Sequence, residues 1–97
     1  MEDERFRTAL EHADDGIVAG RAMDGDVEAF AVLVRRYTPM MRAYTQRMLN
    51  ASADVDDIVQ ESFVTAWQRF GELEDPAKVK SWLMRIVSRK AVDRIRA

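Results

Sequence analysis

The chain has 97 residues, of which 47% are hydrophobic and 33% charged, and its formal net charge of -2 suits a single soluble globular domain. It contains no cysteine, which excludes disulfides, thiolate metal sites and cysteine nucleophiles and agrees with a cytoplasmic protein. No apolar run approaches the roughly 20 residues of a membrane-spanning helix, and the acidic N-terminus is unlike a signal peptide.

Apolar residues recur at helical spacing, with only four glycines and two prolines, and predict an all-α fold. We expect a compact bundle of about four helices, at approximately residues 14–23, 27–49, 54–70 and 76–96. The apolar spacing of the second helix continues past Pro39, which predicts a kink there rather than a break. Residues 1–13 show little periodicity and are interpreted as a frayed N-terminal extension of a domain at 14–97.

Turn and cap residues mark the expected helix ends. Gly25 follows the first helix, and residues 50–53 predict a short turn after the second. Three aspartates precede expected helices and are candidate N-caps: Asp26, Asp54 and Asp75. Pro76 suits the first position of the last helix, because its missing N–H has no intrahelical partner there.

The helix predicted at 54–70 sorts its residues onto two faces. One face is an apolar stripe with Trp67 at its edge. The other carries Asp57, Gln60, Glu61, Val64 and Gln68. Asp57 and Glu61 are like charges four residues apart, which costs an isolated helix a few tenths of a kcal/mol. A basic partner surface accounts for this face, and a solvated acidic face is the alternative.

The charge of the chain reverses sign along the sequence. Residues 76–97 contain seven basic residues and one acidic residue, whereas residues 1–75 contain eight basic and sixteen acidic residues. Such an asymmetry indicates a polyanion contact at the basic end. Four cations fall within a sector of about 40° on the last helix and form a predicted basic ridge: Lys78, Arg85, Arg89 and Arg96. A solvated face that satisfies the helix dipole is the alternative.

The apolar stripe of the last helix is interrupted beyond Val87 by Lys90 and Asp93, so we expect the last two turns to project from the core. Trp67 and Trp82 lie on or beside apolar stripes and are predicted as core or core-edge residues rather than base-stacking platforms. Leu73, in an acidic loop, either closes the core or lines a small pocket.

Catalytic and metal-binding patterns are poor. There is no glycine-rich phosphate loop, no serine or threonine beside a base and no second histidine. Asp54, Asp57 and Glu61 could be metal ligands, but helical-bundle metal sites use a Glu-x-x-His pair, and His12 lies in the extension. We therefore expect no catalytic residue, no metal and no cofactor, and a solvated His12.

Several motifs at fitting spacing resemble domain two of bacterial extracytoplasmic-function sigma factors, small members of the sigma-70 family. The motifs are GDVEAF at 25–30 with RRY at 35–37, DIVQESF at 57–63 with AW at 66–67, and SWLMRI at 81–86 with DRIR at 93–96. The resemblance covers roughly residues 14–97. It implies a promoter-recognition module that binds core RNA polymerase and helps melt the minus-ten promoter element.

The resemblance also assigns partners to surfaces. The Asp-x-x-Gln-Glu helix implies binding to the clamp helices of the polymerase beta-prime subunit, through the outer face of the helix at 54–70. The loop and last helix imply contact with the single-stranded minus-ten non-template strand. The DNA-binding candidates are Gly71, Glu72, Leu73, Glu74, Asp75, Lys78, Lys80, Arg85, Arg89, Lys90 and Arg96.

Two departures and two alternatives accompany the resemblance. Many family members have Arg-Asn where this chain has Ser88 and Arg89, so the promoter preference does not carry over at that position. The helix-turn-helix domain that reads the minus-thirty-five element is expected in the family and absent from this chain.

One alternative is a helical interaction domain without DNA binding, whose partners include an anti-sigma factor. The remote alternative is a carboxylate metalloenzyme.

Overall fold

The computed structural model describes residues 2–50 and 54–96, and over these ranges it contains helices and 3₁₀ turns but no strand. The five α-helices are α1 (Glu2–His12), α2 (Asp15–Met23), α3 (Val27–Leu49), α4 (Val55–Gln68) and α5 (Val79–Arg96). Two 3₁₀ turns, Phe70–Glu72 and Pro76–Lys78, connect α4 to α5. The predicted all-α bundle is therefore confirmed. The turn predicted at 50–53 lies, beyond Asn50, outside the described residues.

Helix α1 occupies the segment interpreted as a frayed extension, and it is attached to α3. Leu10 is buried in the core. The Arg36 guanidinium donates hydrogen bonds to the carbonyl oxygens of Leu10, Glu11 and Ala13 at 3.2, 2.8 and 2.5 Å. Those three bonds come from Nη2, and Nη1 pairs with the Asp15 carboxylate at 2.9 Å. Carbonyls at a helix C-terminus lack intrahelical partners, so Arg36 caps α1 from a neighbouring helix.

Replacing Arg36 with methionine should detach α1 and lower the free energy of unfolding by about 1–3 kcal/mol, because several charge-assisted hydrogen bonds are lost at a half-buried site. Amide hydrogen exchange in α1 and denaturant unfolding measure the effect. Arg35→Met is the matched control, since among the described residues Arg35 makes only an exposed pair with Glu11 at 3.3 Å. Unchanged exchange in α1 would contradict the capping role.

The same corner contains a buried tyrosine. Tyr37 is 6% exposed, and its hydroxyl donates a hydrogen bond to the Asp15 carboxylate. Burial, with this hydrogen bond and the carboxylate charge, raises the pKa of the Tyr37 hydroxyl above its usual range. The phenol is therefore protonated at neutral pH and remains a donor. Together Arg36 and Tyr37 fix the junction of α1 and α2 on α3.

Two of the three predicted aspartate caps are confirmed. The Asp26 side chain accepts from the Ala29 amide at 3.2 Å, and Asp75 accepts from the Ala77 amide at 3.0 Å. Burial opposes ionisation of Asp26, but its bonds from Ala29 and Arg21 outweigh that cost and lower its pKa. Asp54 makes no cap hydrogen bond: its backbone lies in the helical region rather than in the extended region of Asp26 and Asp75, and its carboxylate pairs with Arg94 of α5 at 2.9 Å.

The connection from α4 to α5 differs from the predicted loop at both ends. Helix α4 ends at Gln68, and a 3₁₀ turn covers Phe70–Glu72. In such a turn residues three apart lie on the same side, which lets both Phe70 and Leu73 reach the core. Pro76 begins a second 3₁₀ turn rather than the α-helix, which starts at Val79.

Helix α3 passes through Pro39 without interruption. The break that proline often causes is therefore absent, as expected, and the kink stays a prediction. The prediction that the last two turns of α5 project from the core holds only for the final turn, where Ile95 is 54% exposed; one turn earlier Ala91 is fully buried, and Arg94 reaches the start of α4. The interruption of the apolar stripe by Lys90 and Asp93 did not show that Ala91 packs in the core, because a small side chain needs little apolar surface to pack closely.

The core lies between α2, α3, α4 and α5. Its largest fully buried side chains include Leu33, Met41, Ile58 and Leu83. Trp82 is 8% exposed and stacks on Phe70 with ring centroids 5.4 Å apart and an interplanar angle of 26°. Phe30 meets Phe63 and Phe70 edge to face. This aromatic cluster holds the end of α4 against the start of α5 and so positions the connecting segment.

Candidate partner and nucleic-acid surfaces

The predicted outer face of α4 exists as a continuous surface. All five of its predicted residues are exposed: Asp57, Gln60, Glu61, Val64 and Gln68. The opposite face carries Val55, Ile58 and Val59, which are buried. The helical periodicity of the sequence therefore separated the two faces correctly.

An apolar groove borders this outer face. It has a volume of ≈ 440 Å³ and runs between α3 and α4. Its lining residues are Val27, Phe30, Val34, Gln60, Phe63, Val64, Trp67 and Gln68. Val27 is 65% exposed, Val64 54% and Trp67 38%. Contiguous exposed apolar surface is typical of a binding site, so the groove extends the candidate partner surface onto α3.

Sequence reasoning missed the α3 side of the groove. Val27 and Val34 follow the same three-four spacing as the core residues of α3, and that spacing alone does not show which side chains stay uncovered. Trp67 was placed at the edge of an apolar stripe, and this edge position is what the structure shows. Its ring packs on Phe30 with centroids 4.9 Å apart, leaving the outer side accessible.

Helix α5 supplies a counter-ion to the acidic face of α4. Arg94 lies 2.9 Å from Asp54 and 3.6 Å from Glu61. Glu61 thus has an intramolecular partner, which the helical geometry of α4 alone did not reveal. Asp57 and Gln60 have no ion pair or side-chain hydrogen bond to any described residue. These two side chains are therefore the part of the face most available to a partner.

The cations predicted for nucleic-acid contact do not all share one side of α5: helical geometry places Arg85, Arg89 and Arg96 in one sector and Lys80 outside it. Five of them are exposed: Lys78, Lys80, Arg85, Arg89 and Arg96. None of these five forms an ion pair with another residue of the described ranges. Lys78 belongs to the 3₁₀ turn before α5, so its direction is not set by the α-helical geometry used to predict the ridge. Lys90 is half-buried.

Ser88 and Arg89, the two residues at which this chain differs from many family members, lie in different surroundings. Ser88 faces α3, where the Tyr44 hydroxyl donates to its Oγ at 2.9 Å. Arg89 is exposed on the outer side. Of the pair, only Arg89 can therefore reach a nucleic acid without unpacking α5.

The segment 71–75 presents acids rather than an apolar surface. Gly71, Glu72, Glu74 and Asp75 are exposed, whereas Leu73 is 5% exposed and joins the core. Of the two alternatives for Leu73, core closure is confirmed, and the role of Leu73 as a direct DNA contact is weakened by its burial. Trp82 is likewise covered, by Phe70, and cannot stack on a base.

The described residues give no support to a metal-binding function. No group of three carboxylate, histidine or cysteine side chains there is arranged to hold a metal ion. Two of the three candidate metal ligands, Asp54 and Glu61, form ion pairs with Arg94. His12 is exposed, as expected. In the same part of the chain, no helix has the length and apolarity needed to cross a bilayer.

Comparison with protein families gives a match to the model described as Sigma-70 region 2, over residues 33–97. The chain is 34% identical over 79 residues to RNA polymerase sigma factor NccH of Alcaligenes xylosoxydans, covering 81% of this chain and 42% of that protein. It is 33% identical to RNA polymerase sigma factor CnrH of Cupriavidus metallidurans, with 81% and 41% covered.

A third relative is the extracytoplasmic-function RNA polymerase sigma factor SigW of Bacillus subtilis, 35% identical over 72 residues, which are 74% of this chain and 38% of SigW. The chain thus spans about two fifths of the length of these curated relatives. No solved structure gives a significant match.

Proposed function

We propose a function from one established premise: the chain belongs to the sigma-70 region 2 family, among the extracytoplasmic-function sigma factors. This membership implies a sigma function in transcription initiation. The finer proposal is that the module binds core RNA polymerase at the clamp helices of the beta-prime subunit and recognises and helps melt the minus-ten promoter element. It acts in the cytoplasm, where the polymerase is, and catalyses no reaction.

The observation that carries the polymerase-binding half is the juxtaposition on α4 of unpaired polar groups with an open apolar groove. Asp57 and Gln60 have no ion pair or side-chain hydrogen bond among the described residues, and Val64 and Trp67 lie beside them with 54% and 38% exposure. An apolar centre with a polar rim is the usual composition of a protein interface. An acidic rim also selects a basic partner helix and speeds its association.

The DNA-binding half is supported by the exposed acidic segment 71–75, which leads through a short 3₁₀ turn into the helix that carries exposed cations. A flipped base needs hydrogen bonds and a shaped pocket, while the neighbouring phosphates need positive charge. We assign base capture to Gly71, Glu72, Glu74 and Asp75, and phosphate contact to α5. Because Leu73 and Trp82 are buried, the pocket relies on backbone groups and carboxylates rather than on their apolar surfaces.

A third partner is an anti-sigma factor that covers the same surfaces. The apolar groove between α3 and α4 supports this proposal, because exposed apolar surface of this kind favours a protein partner in the absence of polymerase. Such a partner would compete with core polymerase for the outer face of α4.

Replacing Arg85 with glutamine should weaken binding to all single-stranded DNA sequences alike. Loss of one phosphate contact lowers the slope of log K against log salt by about 0.7 for a single strand. Titration of labelled oligonucleotides at several salt concentrations measures the slope. Arg35→Gln, an exposed arginine beside α1, is the matched control and should leave the slope unchanged. A change of base preference in Arg85→Gln would show that Arg85 reads a base.

The function is tested by measuring two affinities of the 97-residue chain, one for core polymerase and one for a panel of single-stranded minus-ten variants. We expect the chain to bind both. Replacing residues 72–74 by another loop sequence should change the preferred base while leaving the salt slope nearly constant. Core binding without salt-dependent DNA binding would support the interaction-only alternative. Stoichiometric metal after purification without chelators would support the metalloenzyme.

A further inference from the structure

A polar seam runs along the contact between α4 and α5, and the charge of its α4 side changes from negative near the start of the helix to positive at Arg69. The two helices are antiparallel, since Asp54 at the start of α4 pairs with Arg94 and Phe70 beyond its end stacks on Trp82. Near the start of α4 the seam is lined by the carboxylates of Asp57 and Glu61 on the α4 side, with Lys90 of α5 facing them. Towards the other end the lining becomes basic.

The basic end of the seam is a cleft with a volume of ≈ 360 Å³. It is lined by Thr65 and Arg69 of α4 and its C-terminus, and by Ile86, Arg89, Lys90 and Asp93 of α5. Three cations, one hydroxyl and one carboxylate therefore surround a concave surface. Concave sites with charge of one dominant sign concentrate counter-ions, and a guanidinium fork matches the oxygens of a phosphate.

Arg69 connects this cleft to the segment assigned to base capture. It is the C-cap residue that follows α4, and its backbone amide is shared between the carbonyls of Thr65 and Ala66. Its side chain lies 3.9 Å from the Glu72 carboxylate, with both side chains more than 60% exposed. An exposed pair at that distance contributes little stability, so Arg69 can exchange Glu72 for another anion.

The acidic segment 71–75 contains no cation of its own, although a DNA strand that enters it brings phosphates close by. We propose that the cleft between α4 and α5 binds a backbone phosphodiester of single-stranded DNA, with Arg69 as the cation that α4 contributes opposite Arg89 and Lys90. This proposal rests on the proposed DNA-binding function. It makes Arg69 a DNA-contacting residue that neither the basic ridge nor the family motifs include.

The test compares Arg69→Gln, Arg69→Lys and the unchanged 97-residue chain in binding single-stranded oligonucleotides at several salt concentrations. For Arg69→Gln we expect a salt slope lower by about 0.7 and an affinity about fivefold lower near 0.1 M salt. Arg69→Lys should keep the slope, because the charge remains. An oligonucleotide with abasic sugars at the bound positions should show the same loss, because the proposed contact is to phosphate.

The controls separate this proposal from the function on which it rests. Arg35→Gln removes the same charge beside α1 and should bind like the unchanged chain. If the unchanged chain binds DNA and Arg69→Gln has the same slope and affinity, the cleft assignment is overturned and the proposed function stands. If the unchanged chain shows no salt-dependent binding, both are overturned. A loss confined to oligonucleotides with bases would overturn the phosphate contact.

Discussion

Replacing Trp82 with alanine should unfold or severely loosen the domain, by about 3–5 kcal/mol of unfolding free energy. The indole is 8% exposed and stacks on Phe70, which in turn meets Phe30 edge to face. Removing it opens a cavity at the point where α5 holds the end of α4. Small domains have roughly 5–15 kcal/mol of total stability, so this loss is a large fraction of it.

Denaturant unfolding monitored by circular dichroism measures this change, and Trp67→Ala is the matched control. Trp67 is the other tryptophan of the chain and is 38% exposed, so its truncation should cost clearly less. Because Trp67 lines the apolar groove, that variant should instead lose affinity for core polymerase. A Trp82→Ala protein with near-native melting temperature and lost DNA binding would show that Trp82 stacks on a base.

Helix positions were predictable where apolar periodicity and cap residues agreed. The second and third predicted helices correspond to α3 and α4 within two residues at each end, and the Asp26 cap has the expected hydrogen bond. Helix α1 was missed because its attachment depends on Arg36, a residue 23 positions beyond Ala13, whose carbonyl it binds. A long-range polar contact of this kind leaves no periodic signal in the attached segment.

The candidate surfaces were predictable to the extent that they follow one helix. The outer face of α4 was read from its own residues, and all five members are exposed. Features shared by two helices were not readable. The pairing of Glu61 with Arg94 and the cleft that brings Arg69 near Arg89 both depend on how α4 packs against α5. Periodicity gives the face of each helix but not the register between helices.

Reversing the charge of Glu61 with lysine should abolish binding to core polymerase. Like charges placed opposite each other across an interface cost several kcal/mol, which corresponds to at least about a hundredfold in affinity. In this chain the substitution also places lysine beside Arg94, which now lies 3.6 Å from the Glu61 carboxylate. Intramolecular repulsion from Arg94 therefore contributes to the effect of Glu61→Lys, in addition to repulsion from the partner.

Asp57→Lys isolates repulsion from the partner, because Asp57 is exposed and has no ion pair with a described residue. It should reduce core affinity by a similar factor while changing stability by less than about 0.5 kcal/mol. Asp14→Lys, an equal charge change at an exposed residue before α2 that has no ion pair or cap hydrogen bond among the described residues, is the control and should bind core like the unchanged chain. Affinity measured at two salt concentrations should show a weaker salt dependence for Asp57→Lys, since the acidic rim attracts a basic helix. Unchanged affinity in both α4 variants would refute the polymerase interface, because no intramolecular pair could then account for the result at Asp57.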